Sequence, residues 1–170
     1  FHMLRRQVGD ERFRQALATF YGDQKGKRAS FADLRSAFET AEEQDLETFF
    51  SQWTTRTGAP VLVLKDVTVQ EVGGKYRIAG AIVQVQEEPP YVLNVPVEVQ
   101  TIGGVSSELV QCVARQTEFV IDVDSQPLAL HVDSQFDLFR LLDPRETPAS
   151  IGQSAIGRDR QSSATRASQN

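Results

Sequence analysis

The chain is poor in the residues that carry most enzyme chemistry. Its 170 residues include one cysteine, two histidines, one methionine and one tryptophan. Cys112 has no second cysteine with which to close an internal disulfide. It alternates with polar residues in an expected strand, so it reads as a buried, inert thiol. His2 and His131 fall in no HExxH motif and beside no cysteine pair, so the usual ligand spacings for zinc or iron are missing. His2 reads as a structural residue on a helix face and His131 as a solvent-side strand residue. No GxSxG elbow is present, and Cys112 has no base in sequence reach. No helix pattern follows Gly73-Gly74 or Gly103-Gly104, so these glycines read as hairpin turns and not as phosphate loops. Asp122, Asp124, Asp133 and Asp137 could suggest calcium. Aspartates at strand ends and in turns more often cap backbone amides or face water, and that is the expectation here. We therefore expect no catalytic, cofactor-binding or metal-ligating residue within the chain.

Long apolar runs are also lacking. No stretch of about 18 apolar residues exists to form a membrane-crossing helix, and mean hydropathy is −0.32. Phe1-His2-Met3-Leu4-Arg5-Arg6 is too short and too polar for a signal peptide. Phe1 starts within what reads as a helix, which leads us to expect a fragment of a longer protein. Net charge is −5, unevenly distributed. Residues 1–60 hold nine basic and nine acidic side chains, residues 61–143 five against twelve, and residues 144–170 four against two. The acidic middle lacks the basic face that a nucleic-acid platform needs. Neither a nucleic acid nor a membrane is an expected partner.

The first 60 residues carry the period of helices. Met3, Leu4 and Val8 lie on one side of a helix end that Gly9 stops. Asp10 and Glu11 then open a helix with Phe13, Leu17, Phe20 and Tyr21 in one stripe, closed at Gly22. Asp23 to Ala29 reads as an exposed loop. Ser30-Phe31-Ala32-Asp33 resembles a capping box and starts a helix bearing Leu34, Ala37, Phe38 and Ala41. Glu42-Glu43-Gln44 breaks that stripe. Asp45 caps a last helix with Leu46, Phe49, Phe50 and Trp53 on one face. Such short helices are not stable alone, and burying their stripes together makes a small bundle.

From Pro60 the apolar period changes to that of strands. Val61 to Val72, Tyr76 to Val85 and Tyr91 to Thr101 follow in turn, the first two joined at Gly73-Gly74. Glu87-Glu88-Pro89-Pro90 makes a stiff loop. Pro96 cannot donate to a ladder, which predicts an edge or bulged strand over 91–101. Leu109 to Val113, Thr117 to Val123 and Leu128 to Val132 complete about seven short strands, the pattern of a β-sandwich. Phe136, Leu138, Phe139, Leu141 and Leu142 are expected to cover the sandwich or return to the helices. Pro148 to Asn170 is rich in Ser, Gln, Ala and Arg and has too few large apolar residues to fold on its own account.

Three segments resemble the aminopeptidase N-type zinc metallopeptidases, the gluzincins. Phe1 to Phe13, FHMLRRQVGDERF, is similar to their hxxLRxxxGdexF pattern. Ala29 to Leu34, ASFADL, is similar to aTxxDf. Leu46 to Pro60, LETFFSQWTTRTGAP, is similar to dLxxFFxqWlxxxGxP. The segments occur in the family's order and at its usual separations. The resemblance implies α+β architecture: a small N-terminal helical bundle segment over 1–59, an immunoglobulin-like antiparallel β-sandwich over 60–143 and a loose tail or linker over 144–170. It implies a non-catalytic C-terminal part that supports an upstream catalytic domain and shapes access to it. The family's two histidine and one glutamate zinc ligands, its general-base glutamate and its tyrosine all belong upstream of Phe1. None maps onto this sequence, so zinc is implied for the parent only. The expected partners are that upstream domain and a second copy docked through the helical faces of residues 1–55. The alternative is a stand-alone sandwich that binds a protein or sugar along an edge strand at 91–101.

Overall fold

The computed structural model describes residues 1–42, 44–143 and 146. Four helices come first: α1 His2–Val8, α2 Asp10–Gln24, α3 Phe31–Glu42 and α4 Glu47–Thr54. Six strands follow: β1 Leu62–Val72, β2 Lys75–Gln84, β3 Leu93–Thr101, β4 Gly104–Cys112, β5 Gln116–Val123 and β6 Pro127–Val132. The chain is thus mixed α+β, with two three-stranded antiparallel sheets ordered β1-β2-β5 and β4-β3-β6. The expected tail over 144–170 lies outside the described residues apart from Glu146.

The helix punctuation follows local chemistry. Gly9 sits at φ 83, a conformation that costs a residue without Cβ nothing, and separates α1 from α2. α2 does not close at Gly22. Gly22 keeps a helical φ, the helix runs on to Gln24, and Gly26 supplies the positive φ that turns the chain. At the start of α3, Ser30 Oγ accepts the Asp33 N–H at 3.2 Å while Asp33 Oδ2 accepts the Ser30 N–H at 2.8 Å. This is a reciprocal capping box with aspartate in the usual glutamate position. Asp45 Oδ1 accepts the Glu47 N–H at 2.7 Å and opens α4. Leu4, Val8, Ala16, Leu34, Phe38, Leu46 and Phe50 form one buried cluster among the helices. Tyr21, at the end of its stripe, is exposed.

A second cluster draws on both sheets: Ile78, Ile82, Phe119 and Ile121 from one, Leu93, Val95, Val97 and Val99 from the other, with Cys112 buried beside them. Gly73 and Gly74 both have positive φ and make the β1–β2 turn that the sequence predicts. The β1–β2 register slips between Lys65 and Thr68, where Asp66 adopts φ 53. Across this bulge lies Gly80, where a Cβ would stand 3.0 Å from Phe119 Cζ and 3.2 Å from Val67 Cγ2.

Two sequence expectations are corrected here. The described residues contain six strands and not about seven; in place of a further strand, Val61 and Leu141 make one parallel bridge. The strand expected at an edge, now β3 Leu93–Thr101, is the central strand of its sheet. Pro96 is tolerated because of where its missing donor falls. Its carbonyl accepts the Asp133 N–H at 2.8 Å, so its nitrogen faces the same side, just beyond the end of β6 at Val132. The absent N–H would lie at the finish of that ladder, and the pairing with β4 is untouched.

Candidate functional site

The titratable residues singled out in the sequence are spread over the fold. Cys112 is buried, and that burial pushes its thiol pKa up, away from nucleophilic use. His131 is exposed on β6. His2 Nε2 lies 2.6 Å from Asp137 Oδ1. Asp122 is held by Arg77, which lowers its pKa through a hydrogen bond at 2.9 Å, and Asp124 pairs with Lys75 at 2.7 Å. Asp133 and Asp137 belong to another loop with cations of their own. The four aspartates therefore do not converge on one point. No group of three or more metal-ligating side chains occurs among the described residues.

What the fold does assemble is a polar joint where α4 meets the sheets. Gln52, buried one residue before Trp53, donates its Nε2 to the Val92 carbonyl at 2.8 Å and accepts the Val92 N–H at 2.9 Å. Its amide thus pairs with the backbone as a neighbouring strand would. Gln84, 1% exposed, does the same for Tyr91: its Oε1 accepts the Tyr91 N–H and its Nε2 donates to the Tyr91 carbonyl, both at 2.7 Å. Gln86 donates to Gln84 Oε1 at 3.1 Å and accepts the Val61 N–H at 3.1 Å. These amides satisfy backbone groups that lie outside any ladder and would be costly to bury unpaired.

Two arginines close the joint. Arg56 donates to the carbonyls of Pro89 and Pro90 and places its guanidinium 3.8 Å from the Tyr91 ring centroid. Trp53 stacks on Tyr91 with centroids 5.1 Å apart and planes at 21°, and Tyr91 Oη donates to the Thr57 carbonyl at 3.2 Å. Arg115, on the turn into β5, donates to the carbonyls of Gln84, Gln86, Glu87 and Glu88. Only a planar fork with five donors can serve so many acceptors at once. Gly58, at φ 84, makes the bend between α4 and β1 against the Glu88 carboxylate.

A second polar network fastens the segment after β6 to α1. Asp133 adopts φ 52, and its Oδ1 accepts the N–H groups of Asp137 and Leu138. Its Oδ2 takes Arg140 Nε at 2.8 Å, with the two side chains 0% and 1% exposed. Arg140 also reaches Glu146 at 2.8 Å. Burial works against the Arg140 charge, but the hydrogen bonds it donates to Glu146 and Asp133 outweigh it and raise the pKa; the Arg140–Glu146 contact lowers that of Glu146. The loop so fixed presents Asp137 to His2 and Arg6, and the Phe139 N–H to Met3 Sδ at 3.3 Å. Phe139 meets the Trp53 ring edge-on at 5.9 Å. Of the residues expected to cover the sandwich or return to the helices, Phe139 reaches Trp53 on α4 and Leu138 packs on the sheet cluster, whereas Phe136 and Leu141 are exposed.

Two grooves flank these networks. One, of about 430 Å³, runs between α1, α4 and the sheet, lined by Met3, Arg6, Trp53, Pro96, Leu109 and Leu138 among others. The other, of about 1110 Å³, opens between β1 and β6 and touches Arg140 and Glu146. The larger groove is also lined by His131 and by Ser134, whose Oγ donates to Glu98 Oε2 at 2.5 Å.

The fold of this chain has a counterpart among solved structures. The crystal structure of Legionella pneumophila aminopeptidase A in complex with aspartic acid contains it, with a TM-score of 0.62 at 20% sequence identity. The likeness covers 84% of this chain but 17% of that one, so the chain spans about a sixth of its neighbour's length. At this identity the likeness is one of fold. No family model and no curated protein matches the sequence.

Sequence reasoning singled out Phe49, Phe50, Trp53, Gly58 and Pro60 within this joint but missed Gln52, Arg56, Gln84, Gln86 and Arg115. The available signal was local. Gln84 and Gln86 follow the apolar run Ala81-Ile82-Val83, and Gln52 interrupts an otherwise aromatic helix face. A buried position filled by an amide implies a backbone partner elsewhere in the chain.

Proposed function

We propose that this chain is the non-catalytic C-terminal part of a zinc aminopeptidase-like protein of the gluzincin type. Residues 1–59 are then the tail end of the helical side of a catalytic domain, residues 60–143 an immunoglobulin-like β-sandwich, and residues 144–170 a tail or linker. The role is structural: to hold the sandwich at a fixed angle beside an upstream active site and to wall access to it. The chain itself supplies no catalytic residue and no zinc ligand; zinc belongs to the parent, and the upstream domain is its partner.

The observation that carries this reading is the joint. The segment that resembles the aminopeptidase signature most closely, Leu46 to Pro60, is the one whose Gln52, Trp53 and Arg56 hold the Val92, Tyr91 and Pro89-Pro90 backbone. A signature placed for catalysis would face a reactive cleft, whereas this one faces a sheet. The likeness to the Legionella aminopeptidase supports the same placement.

The test is the coding sequence that precedes Phe1, followed by expression of the longer protein. An HExxH motif with a further glutamate ligand is expected, together with chelator-sensitive release of N-terminal residues from aminoacyl-nitroanilides. Deleting residues 60–143 from that protein should impair the activity. An upstream sequence with no metallopeptidase domain would refute the reading. The alternative, a free-standing interaction module, drew on an edge strand at 91–101. That strand is paired on both sides, so 91–101 offers no edge to such a partner.

A further inference from the structure

The sheet β4-β3-β6 has one long edge, β4, and its geometry is self-complementary. Successive β4 residues turn their backbone N–H and C=O groups alternately toward β3 and away from it. Pro96 directs its carbonyl to the Asp133 N–H, on the side opposite β4, so its mate Leu109 forms a non-hydrogen-bonded pair and turns its own groups outward. By the same alternation Val105 and Ser107 do so too. No strand pairs with them on that side among the described residues.

The same residues share the face of the sheet opposite the buried Val95, Val97 and Val99. Leu109 at 71%, Val105 at 68% and Ile102 at 68%, together with Phe1 at 69%, are the four most exposed large apolar side chains described. An edge with outward donors and acceptors and apolar side chains beside them is a template for strand addition.

We propose that β4 pairs antiparallel with β4 of a second copy of this chain, about a two-fold axis at Ser107. In that register Ser107 faces its own equivalent, and Val105 of each copy faces Leu109 of the other. All of these residues carry outward-turned backbone groups, so the ladder closes in phase. The four apolar side chains then form one strip across the seam. Glu108, the only charge on β4, then faces the second copy's Ser106, whereas an axis at Glu108 would oppose two carboxylates. The seam runs along the sheet edge, where Ser107 and Leu109 also line the groove beside α1. Nothing in the pairing depends on an upstream catalytic domain.

The test is sedimentation of the full 170-residue chain from micromolar to millimolar concentration. The expected result is a mass rising from 18.9 kDa toward twice that value. Leu109→Lys should weaken the dimer about tenfold or more by putting charge into the strip. Ser107→Pro should do the same by removing the central outward donor while sparing the β3–β4 ladder. Phe31→Lys, on the exposed side of α3, should change nothing. Far-UV circular dichroism of each variant at low concentration checks that it is folded. A nitroxide attached at Ser107→Cys reports the seam directly: two labels close together in the dimer are expected. A chain that stays monomeric overturns the proposal. So does a dimer that Phe31→Lys disrupts and Leu109→Lys does not, or a dimer in which labels at residue 107 lie far apart.

Discussion

Replacing Gln84 by leucine tests whether the polar joint holds the helices to the sheets. The substitution keeps nearly the same volume and removes an amide that is 1% exposed. It leaves the Tyr91 N–H and the Tyr91 carbonyl without the partners that now lie at 2.7 Å, and it strips Gln86 Nε2 of its acceptor at 3.1 Å. Each buried polar group left unpaired costs about 1–3 kcal/mol, so the two backbone groups alone set a loss of about 2–6 kcal/mol. We expect about 4 kcal/mol, a large share of the roughly 5–15 kcal/mol that holds a domain folded. For a chain of this size the melting temperature should fall by about 8–16 °C.

The chain reports on this event itself, because its single tryptophan, Trp53, stacks on Tyr91. Urea titrations followed by Trp53 fluorescence and by far-UV circular dichroism should both move to a lower midpoint. Gln70→Leu, on an exposed stretch of β1, serves as the control and should stay within about 0.5 kcal/mol of the parent. A Gln84→Leu loss under about 1 kcal/mol would refute the reasoning, for it would mean that the Tyr91 backbone is satisfied by other means.

Two further outcomes follow from the fold. Gly80→Ala should destabilise by about 1–3 kcal/mol, because the new methyl would meet Phe119 at 3.0 Å and the Lys65 carbonyl at 3.3 Å; a higher melting temperature, the usual result of replacing a strand glycine, would show that the bulge yields. Acid should weaken the fold: Asp33, Asp122 and Glu146 have folded pKa values lowered by Ser30, Arg77 and Arg140 respectively, from ordinary values of 3.8, 3.8 and 4.5. Their contribution is complete above those values and is lost as pH falls through the lower folded ones, so the melting temperature should fall as pH drops below about 4.5, and less steeply in Glu146→Gln, where Asp33 and Asp122 remain.

The elements were legible in the sequence where a local rule fixes them. Ser30 and Asp33 stand at capping-box spacing and form the box; Gly73-Gly74 forms the turn; the stripes of α3 and α4 are buried at Leu34, Phe38, Leu46 and Phe50 and half-buried at Ala37, Ala41, Phe49 and Trp53. Positions decided by distant partners were not legible. A sequence shows that Pro96 lacks a donor but not which side that donor would face, and the side is what permits β3 to be central. Gln52 and Val92 are 40 residues apart, and Arg115 lies 27 to 31 residues from the carbonyls it holds, so no local period marks them. Gly22 has the composition of a stop, yet α2 runs past it to Gln24. The absence of a catalytic constellation was an expectation from residue types, and the joint emerged only from three-dimensional contacts.

The amide of Gln52 grips Val92, one residue before β3 begins, and β3 is flanked on both sides by strands. Torque applied to the helices therefore enters the sheet at its middle, where it is shared by two ladders, and not at a margin that could peel away. Shear between helices and sheets must break several hydrogen bonds together, whereas a hinge would give at one. On this geometry the joint acts as a welded bracket, with the helices and the sheets held at one bearing to each other by many bonds at once.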